Sequence, residues 1–77
     1  MNKGLVELVA DVMGLEESKV TGSLSREVDT CWDSLNHLRL ITAMEEQYSI
    51  RLTMDEIQSI VTLEDVNRML AQYLARK

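Results

Sequence analysis

Leu5, Leu8, Val9 and Val12 recur at spacings of three and four, the stripe of an amphipathic helix. Gly14 follows that stripe and is a natural stop, because glycine adopts the left-handed conformation that ends helices. Between residues 15 and 33 the periodicity disappears and Ser, Thr, Gly and charged residues take over. This stretch predicts a long ordered loop, anchored in the core by Val20 and Leu24. Loops of such length are unusual in small domains and are often functional. Helical pattern returns at Asp33-Ser34, both good N-cap residues, and runs to about Tyr48. Thr53-Met54-Asp55-Glu56 and Thr62-Leu63-Glu64-Asp65 each place an acid three residues after a threonine, the capping-box pattern. The second match is looser, because aspartate stands in for glutamate. The first box predicts a short helix with Met54, Ile57 and Ile60 inward. The second predicts a longer helix with Leu63, Val66, Leu70, Tyr73 and Leu74 on one face. No segment alternates with period two for long enough to be a strand. The expected architecture is all-α: a four-helix bundle of three main helices, one short helix and a long first loop, forming a single domain over 1–77.

Composition narrows the function classes. Seventy-seven residues make one small domain, and an apolar content of 45% is ordinary for a folded one. Thirteen acids against eight bases leave a net charge of −5, which repels phosphate backbones and anionic lipid. Nucleic-acid and membrane-surface roles are therefore disfavoured. No run of about 18 apolar residues is present to insert into a bilayer. The first residues, Met1 to Leu5, lack the apolar stretch and cleavage site of a signal peptide, so the expectation is a soluble, cytoplasmic protein. One cysteine and one histidine exclude an internal disulfide and a structural zinc, and no metal site is expected. Residues 1–33 carry seven acids and three bases, and residues 34–77 six acids and five bases. Glu27, Asp29 and Asp33 crowd the end of the loop, while Glu45, Glu46, Asp55 and Glu56 gather around the end of the second main helix. Packed as a bundle, these acids could frame Ser34 and Leu35 with negative potential; the plainer alternative is a solvated surface.

On a helical wheel of about 100° per residue, Leu40, Ile41, Met44 and Tyr48 share a side with His37, and Leu38 sits at its edge. Arg39, Thr42 and Glu46 lie opposite, with Leu35 an apolar residue among them. Ser34 as a catalytic nucleophile lacks a base, since the wheel turns His37 inward and no further acid–base partner is evident. A Cys31–His37 dyad lacks an orienting third group. Motifs for phosphate-binding loops, calcium loops and metalloprotease zinc are absent. The chain does not look like an enzyme.

Asp33-Ser34-Leu35 at the start of an amphipathic helix, after a long loop in an acidic chain of four helices, resembles the acyl carrier protein family. The resemblance spans nearly the whole chain, with the helix-ending acidic stretch matching Ala43-Met44-Glu45-Glu46-Gln47-Tyr48 and the third-helix acidic pair matching Asp55-Glu56. It implies that Ser34 is the attachment site of 4′-phosphopantetheine, whose thiol holds an acyl group as a thioester. It also implies partner recognition through Asp33, Leu35, Leu38, Arg39, Glu45, Glu46, Asp55 and Glu56. The implied partners are a phosphopantetheinyl transferase, an acyl ligase or acyltransferase, and downstream pathway enzymes, with the carrier itself a monomer. Four departures from the family's fatty-acid pattern stand out. Asn36 and Arg39 replace acids, Gln47 replaces the last helix-ending acid, and Cys31-Trp32 replaces a small pair. Because charge complementarity governs partner choice, these departures predict a dedicated biosynthetic pathway rather than general fatty-acid synthesis. The alternatives are an aminoacyl or peptidyl carrier, and a small helical interaction module that is never modified. His37 has two readings: a core histidine bonded to a loop carbonyl, or a donor to a polar cargo near the entry of the arm.

Overall fold

The computed structural model describes residues 2–76. Met1 and Lys77, which enter the leader and charge arguments above, lie outside them. Four α-helices follow in order: α1 (Lys3–Met13), α2 (Ser34–Tyr48), α3 (Met54–Ser59) and α4 (Leu63–Ala75), with a single 3₁₀ turn at Glu17–Lys19 in the first loop. Helix α1 starts where the Asn2 side chain accepts the Leu5 amide, and stops at Gly14, whose φ of 68° is left-handed. Helix α2 stops at Ser49, a non-glycine residue at φ 54°. Helices α3 and α4 both open with a complete capping box, Thr53 with Glu56 and Thr62 with Asp65, so aspartate closes the box as well as glutamate does.

Burial of the apolar stripes holds the helices together. Leu5 and Val9 of α1, Leu40 and Met44 of α2, and Leu63, Val66 and Leu70 of α4 are fully buried, with Ile60 entering from the α3–α4 connection. Val20 and Leu24 anchor the long loop as expected, but the largest fully buried side chain is Trp32, just before α2. The six-residue helix α3 has no buried residue of its own. The expectation that Met54 faces inward fails: it is 67% exposed, while Ile57 is half-buried and only Ile60 reaches the core. At the first position of so short a helix, Met54 lies outside the arc that faces the bundle. Leu74, expected on the buried face, is likewise exposed, near the end of α4.

The long loop is tied down by backbone bonds to the α3–α4 connection. Ser25 and Thr62 form an isolated antiparallel bridge, the Arg26 amide donates to the Val61 carbonyl at 2.9 Å, and the Leu63 amide donates to the Leu24 carbonyl at 2.9 Å. Among the described residues no strand is formed and no helix is long and apolar enough to cross a membrane.

Candidate functional site around Ser34

Ser34 is the first residue of α2 and is exposed. It is not the cap. Asp33 is the N-cap, its carboxylate accepting the Asn36 amide at 2.8 Å. Aspartate takes this role because its extended backbone places the carboxylate over the first turn, whereas Ser34 already has helical geometry. The His37 amide bonds the Asp33 carbonyl, which leaves the amides of Ser34 and Leu35 at the open, positive end of the helix. A cavity of about 230 Å³ beside Ser34 is lined by Arg26, Trp32, Asp33, Ser34 and His37. Arg26, which the sequence argument passed over, is thus a cation bordering the serine. Its guanidinium also donates to the Gln58 carbonyl at 2.6 Å. Nothing local in the sequence links residues 26 and 34; the loop's bridge to Thr62 brings them together.

His37 lies in the wall of this cavity, buried, with both ring nitrogens engaged. The Trp32 indole N–H donates to Nδ1 at 3.0 Å, and Nε2 lies 2.9 Å from the Ile57 carbonyl of α3. Indole is only a donor, so Nδ1 is the acceptor and Nε2 carries the hydrogen given to Ile57. The ring then has no donor left for a cargo, which selects the structural reading of His37. Cys31 is half-buried, and its carbonyl accepts the Asn36 side-chain amide at 2.8 Å.

The expected recognition residues divide into two groups. Leu35 and Leu38 are 65% and 58% exposed near the start of α2. Leu38, Arg39 and Glu46 line one groove against Asp11 and Val12 of α1, and Arg39 donates to the Asn36 side-chain oxygen at 3.3 Å. Glu45, Asp55 and Glu56 lie toward the far end of α2 and on α3. The Glu45 carboxylate accepts the Leu52 amide at 3.0 Å. Glu56 accepts the Thr53 amide and the Tyr73 hydroxyl; these bonds, the backbone one foremost, hold its carboxyl below the usual glutamate range and push the Tyr73 phenol up. Asp65 is held down in the same way by the amides of Thr62 and Val61. Of the acids expected to frame Ser34, Asp33 lines the cavity beside it, and Glu27 and Asp29 line a neighbouring cavity together with Asp33. Glu45 and Glu46 stand eleven and twelve residues along α2, about 16–18 Å at 1.5 Å per residue, beyond the screening length of about 10 Å at 0.1 M salt. Glu45 and Glu46 mark the other end of the helix.

A serine at an open helix end fits a phosphodiester, since free amides, the helix dipole and Arg26 all favour an anion there. The family model for the phosphopantetheine attachment site matches residues 3–70. The chain belongs to the phosphopantetheine attachment-site family. It is similar to the acyl carrier protein of Buchnera aphidicola subsp. Baizongia pistaciae, 27% identical over 74 residues, which are 96% of this chain and 95% of that one. The fold is similar to the solution structure of a holo acyl carrier protein from Geobacter metallireducens, with a TM-score of 0.83 and 27% identity, covering 95% of this chain and 84% of the other. The chain is thus a carrier of the acyl carrier protein type rather than an enzyme, and its prosthetic group is 4′-phosphopantetheine.

Proposed function

We propose that Ser34 bears the 4′-phosphopantetheine arm and that the protein, one domain over 1–77, is a monomeric cytoplasmic carrier for a dedicated biosynthetic pathway. The observation that supports the site is the position of Ser34, exposed at the first residue of α2 beside free amides and Arg26. The arm supplies a terminal thiol that holds the acyl group as a thioester. The chain's own residues supply the hydroxyl, a helix end suited to the phosphodiester charge, and the surface that partners read. On this reading a phosphopantetheinyl transferase, an acyl ligase or acyltransferase, and the downstream enzymes dock over Asp33, Leu35, Leu38 and Arg39. Glu45, Glu46, Asp55 and Glu56 form a second, acidic end of the same surface. Asn36 and Arg39 remove negative charge from the helix start, and Gln47 removes it from the helix end, which favours partners other than those that grip an acidic helix.

Intact mass after incubation with coenzyme A and a phosphopantetheinyl transferase tests the assignment. The wild-type chain is expected to gain one arm, and Ser34→Ala none while staying folded. An arm added to Ser34→Ala at another serine overturns the assignment.

A further inference from the structure

Two hydrogen bonds cross the serine turn in opposite senses. Asn36 of α2 reaches back to the Cys31 carbonyl at 2.8 Å, and Trp32 reaches forward to the His37 ring at 3.0 Å. Each joins residues five apart in sequence, and Ser34 lies inside both spans. Neither bond belongs to the helix ladder or to the cap, in which the Asp33 carboxylate accepts the Asn36 amide. The Trp32–His37 bond is buried, and the far side of the imidazole is held by the Ile57 carbonyl at 2.9 Å. The turn is therefore fixed to the core by an indole and to α3 by an imidazole.

We propose that Trp32, Asn36 and His37 are positioning residues that preset the turn bearing Ser34 for the enzyme that modifies it, a role that rests on the assignment of Ser34 as the arm's attachment site. The modifying enzyme must accept Ser34 with the backbone of residues 31–36 in one arrangement. A loop end free to sample several arrangements offers that one only part of the time, and its apparent affinity falls by the same fraction. The two ties hold the arrangement in advance. They act on the backbone either side of the hydroxyl, not on the hydroxyl itself, so their effect belongs to binding rather than to the transfer step.

Two variants separate this role from simple stabilisation. Trp32→Phe keeps an aromatic ring in the core and removes the indole N–H; Asn36→Ala removes the other tie from a half-buried position. With coenzyme A and a phosphopantetheinyl transferase, at a temperature where each chain is folded, KM for the carrier is expected to rise about 3- to 10-fold in each variant, with kcat within about twofold. Amide exchange at residues 34–37 is expected to quicken in both, with the amides of α4 unchanged. An unchanged KM in either variant, or a fall in kcat at unchanged KM, overturns the positioning role while leaving the Ser34 assignment intact. A wild-type chain that takes no arm overturns the assignment, and this proposal with it.

Discussion

Helices α3 and α4 begin differently from α2. Each of the first two opens on a threonine whose hydroxyl and an acid three residues on close a reciprocal box, all within four consecutive residues. Helix α2 opens on Asp33, but its start is also held by Trp32, buried in the core, and by bonds five residues long from Asn36 and to His37. The difference follows from what each start must do. A helix that only needs to begin can satisfy its first amides locally. A helix that must present an exposed serine cannot bury that serine for support, so the residues beside it are fastened instead.

Several substitutions would break or sharpen this contrast. Trp32→Ala has the largest expected effect, about 3–5 kcal/mol of lost stability, because it removes a fully buried aromatic side chain. It also strips the buried His37 Nδ1 of the indole donor, and denaturant unfolding followed by far-UV circular dichroism measures the loss. Loss of a threonine cap costs about 1 kcal/mol, but Thr62→Ala and Thr53→Ala are expected to differ in where that cost appears. Helix α4 buries Leu63, Val66 and Leu70, so its start is coupled to global unfolding, and the global midpoint should fall. Helix α3 has no fully buried residue and contributes only the half-buried Ile57, so Thr53→Ala should leave the midpoint nearly unchanged and quicken amide exchange within residues 54–59. A matching fall in the midpoint for Thr53→Ala would show that α3 is part of the cooperative core.

The capping boxes also set the acid response. Backbone amides hold the carboxyls of Glu56 and Asp65 below their ordinary values, which are about 4 in an unfolded chain. Between the folded and unfolded values the unfolded chain binds more protons. The stability these groups contribute is therefore complete above about pH 4–4.5 and is lost as pH falls through their lowered folded values. Urea midpoints between pH 7 and pH 3 are expected to fall, and Glu56→Gln with Asp65→Asn should flatten that acid limb. An equally steep limb in the double variant would move the acid response to other carboxyls.

Arg39→Glu is expected to be the smallest perturbation of stability, within about 0.5 kcal/mol, since the side chain is exposed and bonded only to Asn36 among the described residues. Its effect should fall on recognition. Turnover by enzymes that grip an acidic helix through a basic patch should improve at low salt. Unchanged kinetics there would leave Arg39 a solvated surface charge.

Much of this was legible in the chain because it is local. The stripes of α1 and α4, the stop at Gly14 and both capping boxes depend on residues within one or two turns of each other, and helical periodicity records such neighbours directly. Asp33-Ser34-Leu35 and the family it points to were legible for the same reason. Whatever depends on residues far apart in sequence was not. Met54 looked inward because six residues are too few to fix which arc of α3 meets the bundle. The Trp32 indole, the engagement of both nitrogens of His37 and the placement of Arg26 beside the serine were decided only when the loop paired with residues 61–63 and α3 came against α2. Periodicity specifies which face of a helix is apolar; which polar groups meet across a core depends on how separate segments pack, because each buried donor must find its acceptor wherever the fold has placed one.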